Sequence, residues 1–152
     1  MAWYENPAIT YPQLPALTPH ELDTFLALPL IAKLASHNED GSIHLVALFF
    51  KYVDGDILLG TQAMTHKVEN VNRDPNVTVL IDQSERPFKG VIIYGKASLE
   101  YEDVIAKRAA IFETYMPPEN AAGFAEALAN RWDPVIIRVK PDHIISYDYA
   151  KG

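Results

Sequence analysis

The sequence predicts a mainly β domain of the α+β class, a six- to seven-stranded antiparallel barrel, closed or nearly closed, with helices at its periphery. Three observations predict it. Apolar and β-branched runs bounded by Asp, Asn, Gly and Pro recur along the chain, as strands do. Asp54-Gly55 separates two such runs, and both positions tolerate the positive φ that a type I′ hairpin turn needs. Helical periodicity enters at only two or three crossings, which argues against an alternating βαβ sheet. A chain of 152 residues, 49% hydrophobic and 22% charged, suits one ordinary core and excludes disordered, collagen-like and low-complexity classes.

Residues 1–16 carry Pro7, Pro12 and Pro15 and read as an extended arm, leaving residues 17–152 as one domain without an internal repeat. Thr18, Pro19 and Glu21 have the form of a capping box with proline at the first helical position. Leu22, Phe25 and Leu26 follow at helical spacing, and the helix ends before Pro29. Strands are expected over 30–37 and, after turn residues 38–41, over 42–53. In that second run Ile43, Leu45, Ala47 and Phe49 point one way and Val46, Leu48 and Phe50 the other, so it is expected to be covered on both faces. Residues 56–61 return as the third strand. Residues 64–73 read as a short helix with Thr65 at its N-cap and Val68 and Val71 facing inward, stopped by Asp74-Pro75. Strands over 76–82 and 90–101 are joined by the polar segment 83–89. Helices over 102–115 and 119–131 flank Pro117-Pro118, and strands over 134–140 and 143–149 complete the chain.

Thirteen Lys and Arg against twenty Asp and Glu give a formal charge of −7 with no basic face, so nucleic acid and anionic membrane are poor partners. No cysteine means no disulfide, thiol nucleophile or Cys-ligated metal, which fits a reducing compartment. The opening residues lack a basic and then apolar leader, and a cytoplasmic location is expected. The phosphate-loop, GxGxxG, HExxH and GxSxG patterns are all missing. His20, His37, His44, His66 and His143 show no metal-ligand spacing, so no metal site and no catalytic acid–base pair or nucleophile is expected.

The informative segment is Thr61-Gln62-Ala63-Met64-Thr65-His66-Lys67, which follows a strand and opens a helix. Lys67, and His66 when protonated, would sit in the first helical turn, where the helix dipole disfavours cations by roughly 0.3–1 kcal/mol. An anion there reverses that penalty. A phosphate could take bonds from free backbone N–H groups, the Thr61 and Thr65 hydroxyls and the Lys67 ammonium. The plain reading is a solvated lysine beside an ordinary cap. Phe49-Phe50-Lys51-Tyr52 alternates aromatics with a cation, as single-strand nucleic-acid platforms do, but core packing explains Phe49 and Phe50 as well. Trp132 fits either a core plug or a pocket wall.

The order of elements and motifs resembles the flavin-binding split-barrel family related to pyridoxamine 5′-phosphate oxidase, which includes FMN and deazaflavin F420 enzymes. The resemblance spans about residues 17–149 and is most specific at Thr61, Thr65, His66, Lys67, Asn70 and Asp74-Pro75. Pro87-Phe88-Lys89-Gly90 and Arg138-Val139-Lys140-Pro141 match more loosely. The barrel is then expected to be a split barrel, in a homodimer with flavin between the subunits.

By the same resemblance, Lys67, Thr65 and Thr61 would bind the flavin phosphate with His66 assisting. Val46, Ala47, Leu48 and Phe49 would run along the isoalloxazine and hold its polar edge with backbone groups. Lys51 matches a second phosphate-binding lysine, and Arg86, Lys89 and Trp132 would reach the pocket from the partner subunit. Val46 stands where the oxidase itself has a phosphate-binding arginine, which speaks against pyridoxamine phosphate oxidase activity. The implied function is an FMN-dependent oxidoreductase acting on a small organic substrate. The alternatives are an F420-dependent reductase, whose acidic cofactor tail would need a groove built from Lys51, His66, Lys67, Arg86 and Lys89, and a non-catalytic flavin- or ligand-binding barrel.

Overall fold

The structure is a computed structural model that describes Glu5 and residues 16–151, so nearly all of the expected arm lies outside the described residues. In chain order the elements are α1 (Pro19–Leu26), β1 (Ala32–His37), β2 (Ile43–Leu48), β3 (Phe50–Val53), β4 (Asp56–Gln62), α2 (His66–Arg73), β5 (Asn76–Gln83), β6 (Lys89–Glu100), α3 (Val104–Phe112), α4 (Pro118–Ala129) and β7 (Pro134–Asp148). The capping box of α1 forms as read: the Thr18 hydroxyl accepts from the Glu21 N–H, and the Glu21 carboxylate accepts from the Thr18 N–H. Asp54 and Gly55 adopt φ of 51° and 85°, as the hairpin turn demands.

All strand pairings are antiparallel, and the sheet order is β2-β1-β5-β6-β7-β4-β3. Its two end strands, β2 and β3, are consecutive in the chain and separated by Phe49 alone. Sheet twist curls the seven strands until one residue bridges the two edges. Alternate residues point inward and fill the curl: Leu34, Ile57, Leu59, Val79, Ile81, Val91, Ile93, Ile137 and Val139 are all fully buried. Helix α3 covers the outside of β4 and β7, where Ile111 packs on Leu58 and Ile136, and α4 packs on α3. That outer layer explains why these two strands are apolar on both faces.

Two expectations are corrected. The run over 42–53 is two strands that pair with β1 and β4 at opposite ends of the sheet. It is also uncovered on one face of β2, with Ile43 56% and Leu45 66% exposed while Val46 and Leu48 pack on the core. An apolar pattern on both faces does not say which chain covers the second one. Conversely, the strands expected over 134–140 and 143–149 are one strand, β7, continuous through a bulge. Tyr94 faces His143 and Gly95 faces Pro141, leaving Asp142 as the extra residue. A Cβ on Gly95 would stand 2.4 Å from the Lys140 carbonyl oxygen, so glycine is what lets the two backbones close here.

Candidate functional site

Strand β4 ends at Gln62, and a short turn leads to Thr65, the N-cap of α2. The Ala63 N–H donates to the Asp133 carbonyl at 2.8 Å, tying this turn to the start of β7. Thr65 occupies the expected cap position, but its hydroxyl donates back to the Gln62 carbonyl and gives the helix no side-chain cap. The N–H groups of the first turn therefore have no side-chain acceptor, and the positive end of the helix stays open. Asn70, 1% exposed, locks α2 onto β1: its amide donates to Ser36 Oγ at 3.1 Å and Asn38 Oδ1 at 2.8 Å, and its oxygen accepts from Arg73.

Two cations define the electrostatics. Lys67, in the first turn of α2, is half-buried and makes no ion pair among the described residues. Burial, and then the charge of Arg108, holds its ammonium below the usual lysine range. Arg108, on α3, is 6% exposed, and its Nε and Nη1 have no hydrogen-bond partner. Burial lowers its pKa as well. The arginine stem runs against Gly60 of β4, where an added Cβ would come within 2.9 Å of its Cγ.

A cavity of about 560 Å³ opens beside Arg108. The end of β2, Phe49, the end of β4, and helices α3 and α4 wall it, with Ala47, Leu48, Thr61, Gln62, Phe112 and Phe124 among the lining residues. Phe49 stacks on Tyr115 at 4.1 Å between ring centroids and meets Phe112 edge-on at 6.0 Å, so the aromatic wall is rigid. A second cavity, about 510 Å³, shares Gln62 with the first and is lined by Thr65, Arg131, Trp132 and Asp133. Trp132 is 47% exposed, with the Arg131 guanidinium 4.7 Å over its ring; it is a pocket wall. Thr61 is buried, at 2% exposure.

The sequence-derived candidates thus fall into two groups. Ala47, Leu48, Phe49 and Thr61 line the first cavity and Thr65 and Trp132 the second. Lys67 lines neither cavity, and its tie to them is the charge of Arg108, which with burial lowers its pKa. Val46 turns its side chain to the core, and Lys51 sits on β3 opposite Leu58. His66 is exposed, 2.7 Å from Asn38 Oδ1, with its ring beside His44. Arg86 lies over Phe88, and Lys89 faces Asp148 at 3.6 Å; within one chain neither lines these two cavities. Arg108 was missed by sequence reasoning. Its signal is legible in hindsight, since Val104, Arg108, Ile111 and Phe112 share one helical stripe and put a cation on the face that packs.

Orphan donors on a buried guanidinium, an unpaired lysine and an uncapped helix start form a donor set without an acceptor, which fits an anionic group such as a phosphate. The family model described as pyridoxamine 5′-phosphate oxidase matches residues 18–146. The chain belongs to the pyridoxamine 5′-phosphate oxidase family. Among solved structures, a conserved hypothetical protein of Mycobacterium tuberculosis is 25% identical, with 94% of this chain and 92% of that one covered and a TM-score of 0.81. A protein described as F420 reductase is 20% identical over 81% of this chain and 94% of that one, TM-score 0.65. A FAD-binding protein from Mesorhizobium loti is 20% identical over 88% and 93%, TM-score 0.61. No curated protein matches the sequence significantly. The oxidase-family fold thus carries flavin-binding and F420-dependent members, and this chain has its split-barrel architecture.

Proposed function

We propose that this oxidase-family chain is an FMN-dependent oxidoreductase that acts on a small organic substrate, as a cytoplasmic homodimer with the flavin at the subunit boundary. The observation that carries the reading is the uncompensated positive charge at the start of α2, beside a cavity with an aromatic wall. Thr61, Thr65, Lys67 and the open first turn of α2 would hold the flavin phosphate. The β2 backbone from Val46 to Phe49 would hold the ring's polar edge, since β2 ends the sheet and has one unpaired backbone edge. Bound flavin supplies hydride and electron transfer. The protein's own groups anchor, orient and keep water out, which is why the chain needs no nucleophile or acid–base pair of its own.

The F420 relative favours a second reading on the same fold, in which Lys51, His66, Arg86 and Lys89 help to carry the longer acidic tail. Mass spectrometry of the chromophore released from unsupplemented protein distinguishes them: FMN supports the first reading and F420 the second. Anaerobic reduction of the bound flavin followed by addition of acceptors separates enzyme from carrier. Reoxidation faster than in buffer supports the oxidoreductase. Failure of every acceptor to accelerate it leaves a non-catalytic flavin-binding barrel.

A further inference from the structure

A buried guanidinium ordinarily finds acceptors for its five N–H donors, because an unpaired buried charge costs stability. Among the described residues, Arg108 supplies the only buried side-chain nitrogen or oxygen atoms that lack a partner. Its guanidinium lies 5.6 Å over the Phe112 ring, a contact that leaves its Nε and Nη1 donors without an acceptor. The neighbours of Arg108 on its stripe, Ile111 and Phe112, pack on β4, β7 and α4, and a methionine would fill the same space.

The fold nevertheless makes room for Arg108. Gly60, in the middle of a strand where a side chain would ordinarily pack, leaves open the space that its stem occupies. The arginine lines the first cavity together with Thr61, and no acidic residue lines that cavity. Its charge is felt at Lys67, so the two cations lie within Coulomb reach of each other, where they repel. A singly charged carboxylate would leave one of them uncompensated. A phosphate monoester carries between one and two negative charges and three acceptor oxygens, which suits both cations.

We propose that Arg108 is a phosphate ligand of the cofactor, contributed by α3. The monoester of FMN accepts from one of the orphan N–H donors of Arg108 while Lys67 binds it from α2, and the site thereby selects phosphorylated over unphosphorylated flavin. This rests on the flavin reading above and adds to it the residue that sets phosphate preference.

The test is fluorescence titration of the apoprotein with FMN, riboflavin and F420, for the wild type, Arg108→Met and Arg108→Lys. Wild type is expected to prefer FMN to riboflavin. In Arg108→Met that preference falls by roughly ten- to a hundred-fold, with riboflavin affinity nearly unchanged. Apo Arg108→Met is expected to melt no lower than wild type, since relief of an unpaired buried charge outweighs the lost contact with the Phe112 ring. If the methionine variant fails to fold, Arg108→Lys, which keeps the charge and loses the planar guanidinium donors, is expected to show a smaller fall in the same ratio. Wild type that prefers FMN, with the preference intact in either variant, overturns the assignment of Arg108 and leaves the flavin reading standing. Wild type that binds F420 and not FMN removes the monoester, and this assignment with it. Wild type that binds none of the three takes down the flavin reading itself.

Discussion

Lys67 is the residue on which the anion site turns, and its chemistry is set by what surrounds it. Burial and the Arg108 charge favour its neutral form, so the apoprotein carries a penalty that an anion relieves. Lys67→Ala is expected to weaken FMN binding by roughly 1.5–3 kcal/mol, the size of a charge-assisted hydrogen bond, with the fold intact. Isothermal titration checks this, and unchanged affinity removes Lys67 from the phosphate site. The pH dependence has a definite sign. A lysine whose pKa is lowered loses its proton earlier as pH rises, so FMN affinity declines at a lower alkaline pH than an ordinary lysine would give. Lys67→Arg keeps its charge throughout and flattens that decline.

Among the elements, the junction of α3 with the β2–β3 corner holds the cavity in shape. The Tyr115 hydroxyl donates to the Leu30 carbonyl at 2.6 Å and accepts from the Phe50 N–H at 3.1 Å, while its ring stacks on Phe49. Tyr115→Phe keeps the ring and leaves two half-buried backbone groups unpaired. It is expected to cost about 1–3 kcal/mol in urea unfolding, and to loosen the aromatic wall. Arg138 of β7 plays a similar tying role on the same outer face of the sheet, bonding Glu100 of β6 and Asp56 of β4. That bond from Arg138, ahead of the one from Lys107, holds the Glu100 carboxyl below its ordinary value. The stabilisation is therefore complete above the ordinary glutamate pKa and is lost as pH falls through the lowered one. Glu100→Gln is expected to flatten the acid limb of the stability–pH curve, read as thermal midpoint between pH 7 and pH 3.

For the whole molecule, the exposed apolar face of β2 is the surface that one chain leaves unfinished. Ile43 and Leu45 are among the most exposed large apolar side chains described, on an end strand next to the first cavity. If a second copy covers this face, Leu45→Lys shifts the protein from dimer to monomer in sedimentation velocity and weakens flavin binding in parallel. A variant that stays dimeric places the subunit contact elsewhere. Most of the fold was legible because local signals and global packing agree: the capping box, the Asp54-Gly55 turn and the inward alternation along β5 and β6 each dictate structure from a few adjacent residues. The candidate site was half legible. Thr61, Thr65 and Lys67 lie in one short segment, whereas Gly60, Arg108 and Phe124 meet only through the packing of α3 on β4 and of α4 on α3.

By itself the sequence determined most of the elements, the antiparallel character of the sheet and the odd placement of a cation at a helix start, since periodicity, turn chemistry and capping act over a handful of neighbours. Tertiary structure alone decided that residues 42–53 break at Phe49 to become both edges of one sheet, and that residues 134–148 run through a bulge as one strand. It also decided that Arg108, 41 residues after Lys67, lies buried and unpaired at the cavity, with its charge acting on Lys67. The physical reason is the same in each case: sheet curl and helix packing join residues far apart in the chain, and hydropathy records that a face is buried without recording what it meets.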